Sequence, residues 1–278
     1  MFDRFTRSLD LVKASATILR QDPHLLLFPL ISGLVAIVVA LSFIVPVLGV
    51  AGFGGVVDSE AIVYSSIFLF YVAQYFVMFY FNVALVGAVM IRMDGGTPTI
   101  GDGLAVANKR LGAIFGYAVI AATVGVILRA IQERVGFLGR IIVGLLGIGW
   151  TVATFMVVPV LVTSDKGAID SVKESAGMLK RTWGENVVGQ VGMGFFFGLL
   201  FMAIALGGVS LAVGAAALGS PVLMGMMVAL TVLLVLACVL VQTALSGIYS
   251  AALYRYAVRG DASTGFDNSA LQNAFLQK

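Results

Sequence analysis

Twelve residues, "RAIQERVGFLGR" from Arg129 to Arg140, hold three arginines and a glutamate in a 278-residue chain where only 11% of residues are charged. A guanidinium is a planar fork of donors matched to phosphate or carboxylate. Arg129 and Glu133 stand four apart and can pair on one helix turn, which leaves Arg134 and Arg140 unbalanced. These three arginines are the candidate contact for a lipid phosphate, or for an anion drawn to an outer vestibule; the competing reading is a solvated linker. Other chemistry is sparse. An intramembrane hydrolase needs an activated nucleophile, paired acids or a metal site, and there is no His-Glu-x-x-His, no Gly-x-Ser-x-Gly and no phosphate-binding loop. His24 stands alone beside Pro23, and Cys238, alone in an apolar run, forms no internal disulfide and no cysteine metal cluster. No catalytic residue, cofactor or metal ligand is therefore assigned, and the chain reads as a non-enzyme.

The elements that carry these residues follow from composition. Sixty per cent of the residues are apolar and the mean hydropathy is +1.05, against about half apolar and a quarter charged in ordinary soluble domains. A bilayer core of about 30 Å takes roughly 20 apolar residues per helix. Uncharged runs extend from Leu25 to Val57, Ala61 to Ile91, Leu111 to Leu128, Ile141 to Ser164 and Asn186 to Tyr254. The turn signal "GSP" at Gly219 to Pro221 divides the last run in two. The expected fold is all-α: a six-span membrane bundle in one domain over residues 1–260, with a polar tail over 261–278. The first apolar run is too long for a signal-peptide core and is expected to be retained. In the tail, Phe266, Leu271, Phe275 and Leu276 are possible docking residues.

Inside these spans no residue is ionisable, which disfavours proton-driven carriage. Their polar content includes Gln74 and Asn82 in span two, Thr123 in span three, Thr151 and Thr154 in span four, Gln190 in span five, and Gln242, Thr243 and Ser246 in span six. Such groups form interhelical hydrogen bonds or line a pathway, and the former is the commoner use. Glycines cluster at helical spacing: Gly112 with Gly116, Gly194 with Gly198, and Gly144, Gly147 and Gly149 together. They let backbones approach, within one subunit or between subunits.

Basic residues mark the cytoplasmic side of a membrane protein. With six spans, 14 of the 17 Lys and Arg residues fall on the side shared by the two ends, so both termini are expected in the cytoplasm of a cell (inner) membrane protein. The other three are Arg129, Arg134 and Arg140. Acidic residues intersperse with the basic ones and the net charge is only +3, so no nucleic-acid patch exists.

One charged passage is written twice, as "DLVKASATILRQ" at 10–21 and "DSVKESAGMLKR" at 170–181. Ile169, Val172, Ala176, Leu179 and Trp183 fall on one helical stripe, as do Leu9, Val12, Ala16 and Leu19. Each copy precedes a span, with a break expected at Asp22-Pro23 and at Gly184. Lying in the membrane interface, such helices would set the stripe among lipid tails and Lys13, Arg20, Lys173, Lys180 and Arg181 near headgroups, with Trp183 at interface depth. A weaker third copy starts at Asp102, where Thr99 and Asp102 have capping-box spacing. The interfacial helices then span residues 3–22, 100–110 and 166–183, in a possible threefold internal repeat. The alternative is that any cytoplasmic helix entering a membrane looks like this.

The chain to about residue 260 resembles an uncharacterised family of prokaryotic six-span integral membrane proteins, a domain of unknown function. The resemblance lies in "FDRFTRS" at 2–8, "IGDGL" at 100–104, "ATVGVILRAIQERVGFLGRI" at 122–141, "ATFMVVPVLV" at 153–162 and "LKRTWGENVVG" at 179–189. It implies the six-span fold and no activity. Two functions remain open: a scaffold or subunit of a membrane assembly, partnered by membrane lipid and by further copies of itself or other membrane proteins, or a transporter or channel for a small or amphiphilic solute, favoured by the polar groups in spans two and six, Pro159 and the repeats.

The topology is directly measurable. In a Cys238→Ala background, Asp58→Cys is expected to react with a membrane-impermeant maleimide on intact cells, while a reporter fused after Lys278 shows cytoplasmic activity. Labelling at position 58 only after permeabilisation would reverse the orientation.

Overall fold

The computed structural model describes residue 13 and residues 15–52 and 60–259, and within them all side chains but those at 47–52, 60, 61, 179–191, 256 and 259. Among the described residues the chain is helical, with no strand. Helix α1 covers residues 15–21. A 3-10 turn, Pro23–Leu26, leads into α2 (Leu27–Gly52), followed by α3 (Glu60–Met93), α4 (Ile100–Lys109), α5 (Leu111–Arg134), α6 (Phe137–Ala153), α7 (Val157–Thr163), α8 (Ala168–Ala217) and α9 (Pro221–Arg259). Six stretches are long and apolar enough to cross a bilayer: Pro23–Pro46, Ile62–Met93, Leu111–Arg134, Phe137–Thr163, Gly192–Ala217 and Pro221–Arg255. Each overlaps one of the six expected runs, but the third and fourth extend beyond them to take in Arg129, Glu133, Arg134 and Arg140 at their ends.

The helix ends have local causes. After α3, Gly95 adopts φ +88°, a left-handed conformation that glycine takes without steric penalty. The amides of Gly95 and Gly96 then reach the carbonyls of Arg92 and Ile91, both at 3.0 Å, closing the helix in a Schellman motif. At α4 the expected capping box is present. The Thr99 hydroxyl accepts from the Asp102 amide at 3.2 Å, and the Asp102 carboxylate accepts from the Thr99 amide at 2.9 Å. Those bonds to Thr99 hold the Asp102 carboxyl below its ordinary range. The turn at Gly219–Pro221 divides α8 from α9 as expected: Gly219 has φ +68°, the Ser220 amide reaches Ala215 at 3.3 Å, and Pro221 opens α9 at the position where its missing amide is harmless.

Two expectations need correction. Gly184 does not break the chain, because α8 runs without interruption from Ala168 to Ala217. Glycine in a helix costs about 1 kcal/mol yet removes no backbone hydrogen bond, and no proline follows it, whereas Asp22-Pro23 does end α1. The connection between spans three and four is also much shorter than the segment from Arg129 to Arg140. Helix α5 extends to Arg134 and α6 starts at Phe137, so only Val135 and Gly136 lie between helices.

The chain forms two compact units. Of the described residues, one unit holds those up to Leu26 and Thr182–Tyr249; the other holds those within Leu27–Arg181 and the helix residues from Ser250 on. The second unit is organised about α3, which packs on α2, α4, α5 and α7. Of an 18-residue apolar stretch of the α3 span 61% is buried, against 28% or less for the like stretch of each other span. In lipid, burial of apolar surface gives helices little reason to associate, so close packing of small residues takes over. A Cβ on Gly103 of α4 would lie 2.5 Å from the Ala84 carbonyl oxygen and 2.6 Å from the Phe28 ring, and one on Gly87 of α3 would lie 2.9 Å from Val106. The Tyr80 hydroxyl adds a bond to Asn108 at 2.9 Å across the same pair of helices. Ala107, on the apolar side of α4, is fully buried in this protein contact and therefore does not face lipid.

The obstruction at Gly103 is backbone and cannot swing aside. Gly103→Ala is expected to lower stability by about 1–3 kcal/mol through overpacking, whereas Gly101→Ala, whose Cβ would rest 3.6 Å from Thr99, is neutral or slightly stabilising. Thermal unfolding in detergent compares the two, and equal effects would refute the close α3–α4 crossing.

Candidate functional site

Span four is discontinuous. Proline at 159 has no amide to offer the carbonyl four residues earlier and its ring crowds that carbonyl, so the helix cannot run regularly past Phe155. It stops at Ala153 and restarts at Val157 as α7. The intervening residues turn on local bonds from Thr154 to Trp150 at 3.0 Å and from Val157 to Thr154 at 3.1 Å. In an apolar bilayer an unpaired backbone group costs several kcal/mol. Two groups at this break are paired by one side chain from α8: the Ser175 hydroxyl donates to the Ala153 carbonyl at 2.7 Å and accepts from the Met156 amide at 3.0 Å. The Thr154 hydroxyl donates to the Trp150 carbonyl at 2.8 Å, and Tyr117 of α5 is buried. The Tyr117 ring lies 4.3 Å from that of Phe79 on α3. The broken span thus packs on α3 and α5 and is bonded to α8 through Ser175.

Beyond α7 comes a polar layer at the end of the unit. Arg110 pairs with Asp165, Arg255 pairs with Asp94 at 2.7 Å, Lys166 pairs with Glu174 at 2.6 Å, and the Thr163 and Tyr254 hydroxyls share a hydrogen bond of 2.8 Å. The Glu174 carboxylate holds the Lys166 ammonium above its usual range. The Arg255 guanidinium is mostly buried, so its ion pair is shielded from screening better than the exposed ones. This layer ties the ends of α3, α5, α7, α8 and α9 outside the apolar spans.

At the α5–α6 tip, Arg129 donates through Nε to Glu133 at 3.0 Å and through a terminal nitrogen to the Tyr71 hydroxyl of α3 at 2.9 Å. The pairing expected from the spacing is therefore present, with a tyrosine that the spacing did not reveal. Arg134 and Arg140 are exposed and form no ion pair among the described residues. Phe137 and Leu138 between them are 78% and 75% exposed.

The polar residues expected inside the spans are dispersed. Gln74 donates across to the Ala36 carbonyl of α2 at 3.0 Å, an interhelical bond. Thr123, Thr151 and Thr243 each bond back to the carbonyl four residues earlier on their own helix. Asn82 and Gln242 are half-buried on α3 and α9. Of the interfacial set, Lys13, Arg20 and Lys173 are exposed, with Lys173 placed 3.6 Å from Asp170. The side chains of Lys180, Arg181, Trp183 and Gln190 lie outside the described residues, as do residues 1–12 of the first copy. At the start of α8 the most buried positions are Ser171 and Ser175, while Ile169 of the predicted stripe is 61% exposed.

Residues 61–266 match the model of a family described as a family of unknown function, DUF6159. No curated protein matches the chain.

The two serines of α8 make opposite predictions. Ser175→Ala leaves the Ala153 carbonyl and the Met156 amide without partners and is expected to cost about 2–4 kcal/mol. The Ser171 hydroxyl is buried with no hydrogen-bond partner among the described residues, so Ser171→Ala is expected to be neutral or stabilising. Thermal unfolding in one detergent measures both; a harmless Ser175→Ala would mean that the break is paired by other means.

Proposed function

The chain belongs to the family of unknown function DUF6159, and from that premise we propose a non-enzymatic integral membrane protein, a scaffold or subunit of a membrane assembly that holds lipid or partner proteins. Its setting in this reading is the cell's inner membrane with both ends in the cytoplasm, where the exposed Lys13, Arg20 and Lys173 can meet anionic headgroups.

One observation carries the assembly reading: the glycines divide into two classes. Gly87, Gly103 and Gly116 are in close contact with other helices of their own unit, and Gly208 of α8 is so close to Thr231 of α9 that a Cβ would overlap it. A Cβ on Gly194 or Gly198, one turn apart on α8, would meet nothing within 4 Å among the described residues, and the same holds for Gly207, Gly214 and Gly225. The apolar stretches of this hairpin's two spans are only 11% and 6% buried. A glycine facing lipid sacrifices helix propensity and offers a groove that flexible acyl chains fill poorly. A second helix fills it well, because small residues let backbones approach.

The second reading, a transporter or channel, draws support from the interrupted span four, since carriers build solute sites at discontinuous helices. Against it, the Ala153 and Met156 groups at the break are already occupied by Ser175, and Thr123, Thr151 and Thr243 bond to their own helices.

Gly194→Leu with Gly198→Leu tests the assembly reading. The pair should leave the unfolding temperature nearly unchanged but reduce self-association or partner retention in lipid nanodiscs by about tenfold, equivalent to roughly 1.4 kcal/mol. Gly208→Leu should instead disrupt the hairpin itself. Full retention of the assembly state by the Gly194 and Gly198 variant would remove the support for this reading.

A further inference from the structure

We propose that the α5–α6 tip is a binding site for anionic phospholipid, with Arg134 and Arg140 holding the headgroup phosphate and Phe137 and Leu138 seated among the adjoining acyl chains. The proposal rests on the six-span fold and not on the assembly reading, so either can fail alone.

Depth comes first. Both helices that meet at the tip are membrane spans, Leu111–Arg134 and Phe137–Thr163, and only Val135 and Gly136 separate them. Arg134 is the last residue of α5 and Arg140 the fourth of α6. At 1.5 Å per residue, Arg140 lies about 5 Å down the axis from the start of α6. The headgroup layer on each side of a bilayer is of similar thickness, roughly 5–8 Å. Neither guanidinium can enter the hydrocarbon core without a large penalty, and so short a connection keeps both within side-chain reach of the headgroup layer. Both are therefore held at the level of the phosphates.

Exposure of the apolar residues fixes the same depth independently. Phe137 and Leu138 are among the most exposed large apolar side chains of the described chain, and Ile141 and Ile142 continue the exposed surface at 48% and 60%. At the edge of a membrane span, acyl chains cover such residues, and an aromatic ring at the interface is a common anchor.

Charge then selects the lipid. Arg129 already has Glu133 and Tyr71 as partners, whereas Arg134 and Arg140 make no ion pair among the described residues. Two unbalanced guanidiniums beside each phosphate favour a headgroup with net negative charge over one whose phosphate is neutralised by its own amine.

The experiment uses the full chain in nanodiscs of phosphatidylcholine with a minority of phosphatidylglycerol, followed by native mass spectrometry of retained lipid. The wild type is expected to retain phosphatidylglycerol above its bulk proportion. Arg134→Gln with Arg140→Gln should reduce that preference roughly tenfold, Arg140→Gln alone should reduce it less, and Lys173→Gln, on the opposite side, should leave it intact. The single variant alters one exposed residue without an ion pair, which keeps the test valid if the double variant inserts poorly. Three results would each overturn the proposal: no enrichment in the wild type, equal retention by the arginine variants, or displacement of the lipid by inorganic phosphate, which would mark a site for a free anion instead. Loss of lipid only when a co-purifying protein is removed would assign the tip to a protein partner and overturn it as well.

Discussion

Inside a bilayer a helix can stop only where something replaces the water that would otherwise pair its backbone. Span four depends on this most directly. Pro159 makes a regular helix impossible there, and the serine that occupies both the Ala153 carbonyl and the Met156 amide comes from a different helix, 19 residues beyond Met156. The packing of α8 on the break is therefore set by hydrogen bonding. Where helices end outside the apolar core, the devices are local ones: left-handed glycines at 95 and 219, and a Thr–Asp box at the start of α4.

The same shortage of water changes what holds helices together. Apolar side chains gain little by leaving lipid for one another, so shape and polar bonds decide which helices meet. In the α3-centred unit the decisive contacts are small: Gly103 beneath the Ala84 carbonyl, Gly87 beneath Val106, Gly116 beside Ala168. Among the described residues the ion pairs lie at helix ends, Arg110 with Asp165, Arg255 with Asp94 and Lys166 with Glu174. Arg129 makes the corresponding contact at the other end of α5, through Glu133 and Tyr71. Charges thus clasp both ends of the spans while glycine governs their middles.

How much of this was legible depended on the kind of signal. Spans were readable because 89% of the chain is uncharged and the few charges therefore mark borders. The division at Gly219–Pro221 and the box at Thr99 were readable because each needs only neighbouring residues. Ser175 was not. It sits within a passage whose lysines and acids drew the amphipathic reading, and its role requires a break created by Pro159 sixteen positions earlier, which proline in a long apolar run does not reveal by itself. Gly184 misled for the converse reason: glycine permits a helix to end but does not compel it. The two classes of glycine were likewise inseparable by spacing, since Gly194 and Gly198 have the same interval as Gly112 and Gly116, yet Gly116 meets Ala168 while both members of the former pair stand open.

Burial also changes what the repeated passage means. Register its copies on Asp10, Asp102 and Asp170, and the fifth following residue is Ser15, Ala107 and Ser175; all three are buried, at 0%, 0% and 1% exposure. One turn earlier, Gly103 and Ser171 are buried as well. The intervening Lys13 and Lys173 are exposed, and the third copy has Ala105 in their place. What the three helices hold in common is thus a small residue on the inward face, and the charges that made two of them conspicuous are the part that varies. A small residue stands at that position in every copy, and in the copy registered on Asp170 its hydroxyl meets a broken helix. Ala107 packs against the continuous α3, whereas Ser175 meets the interrupted span four and supplies both a donor and an acceptor there.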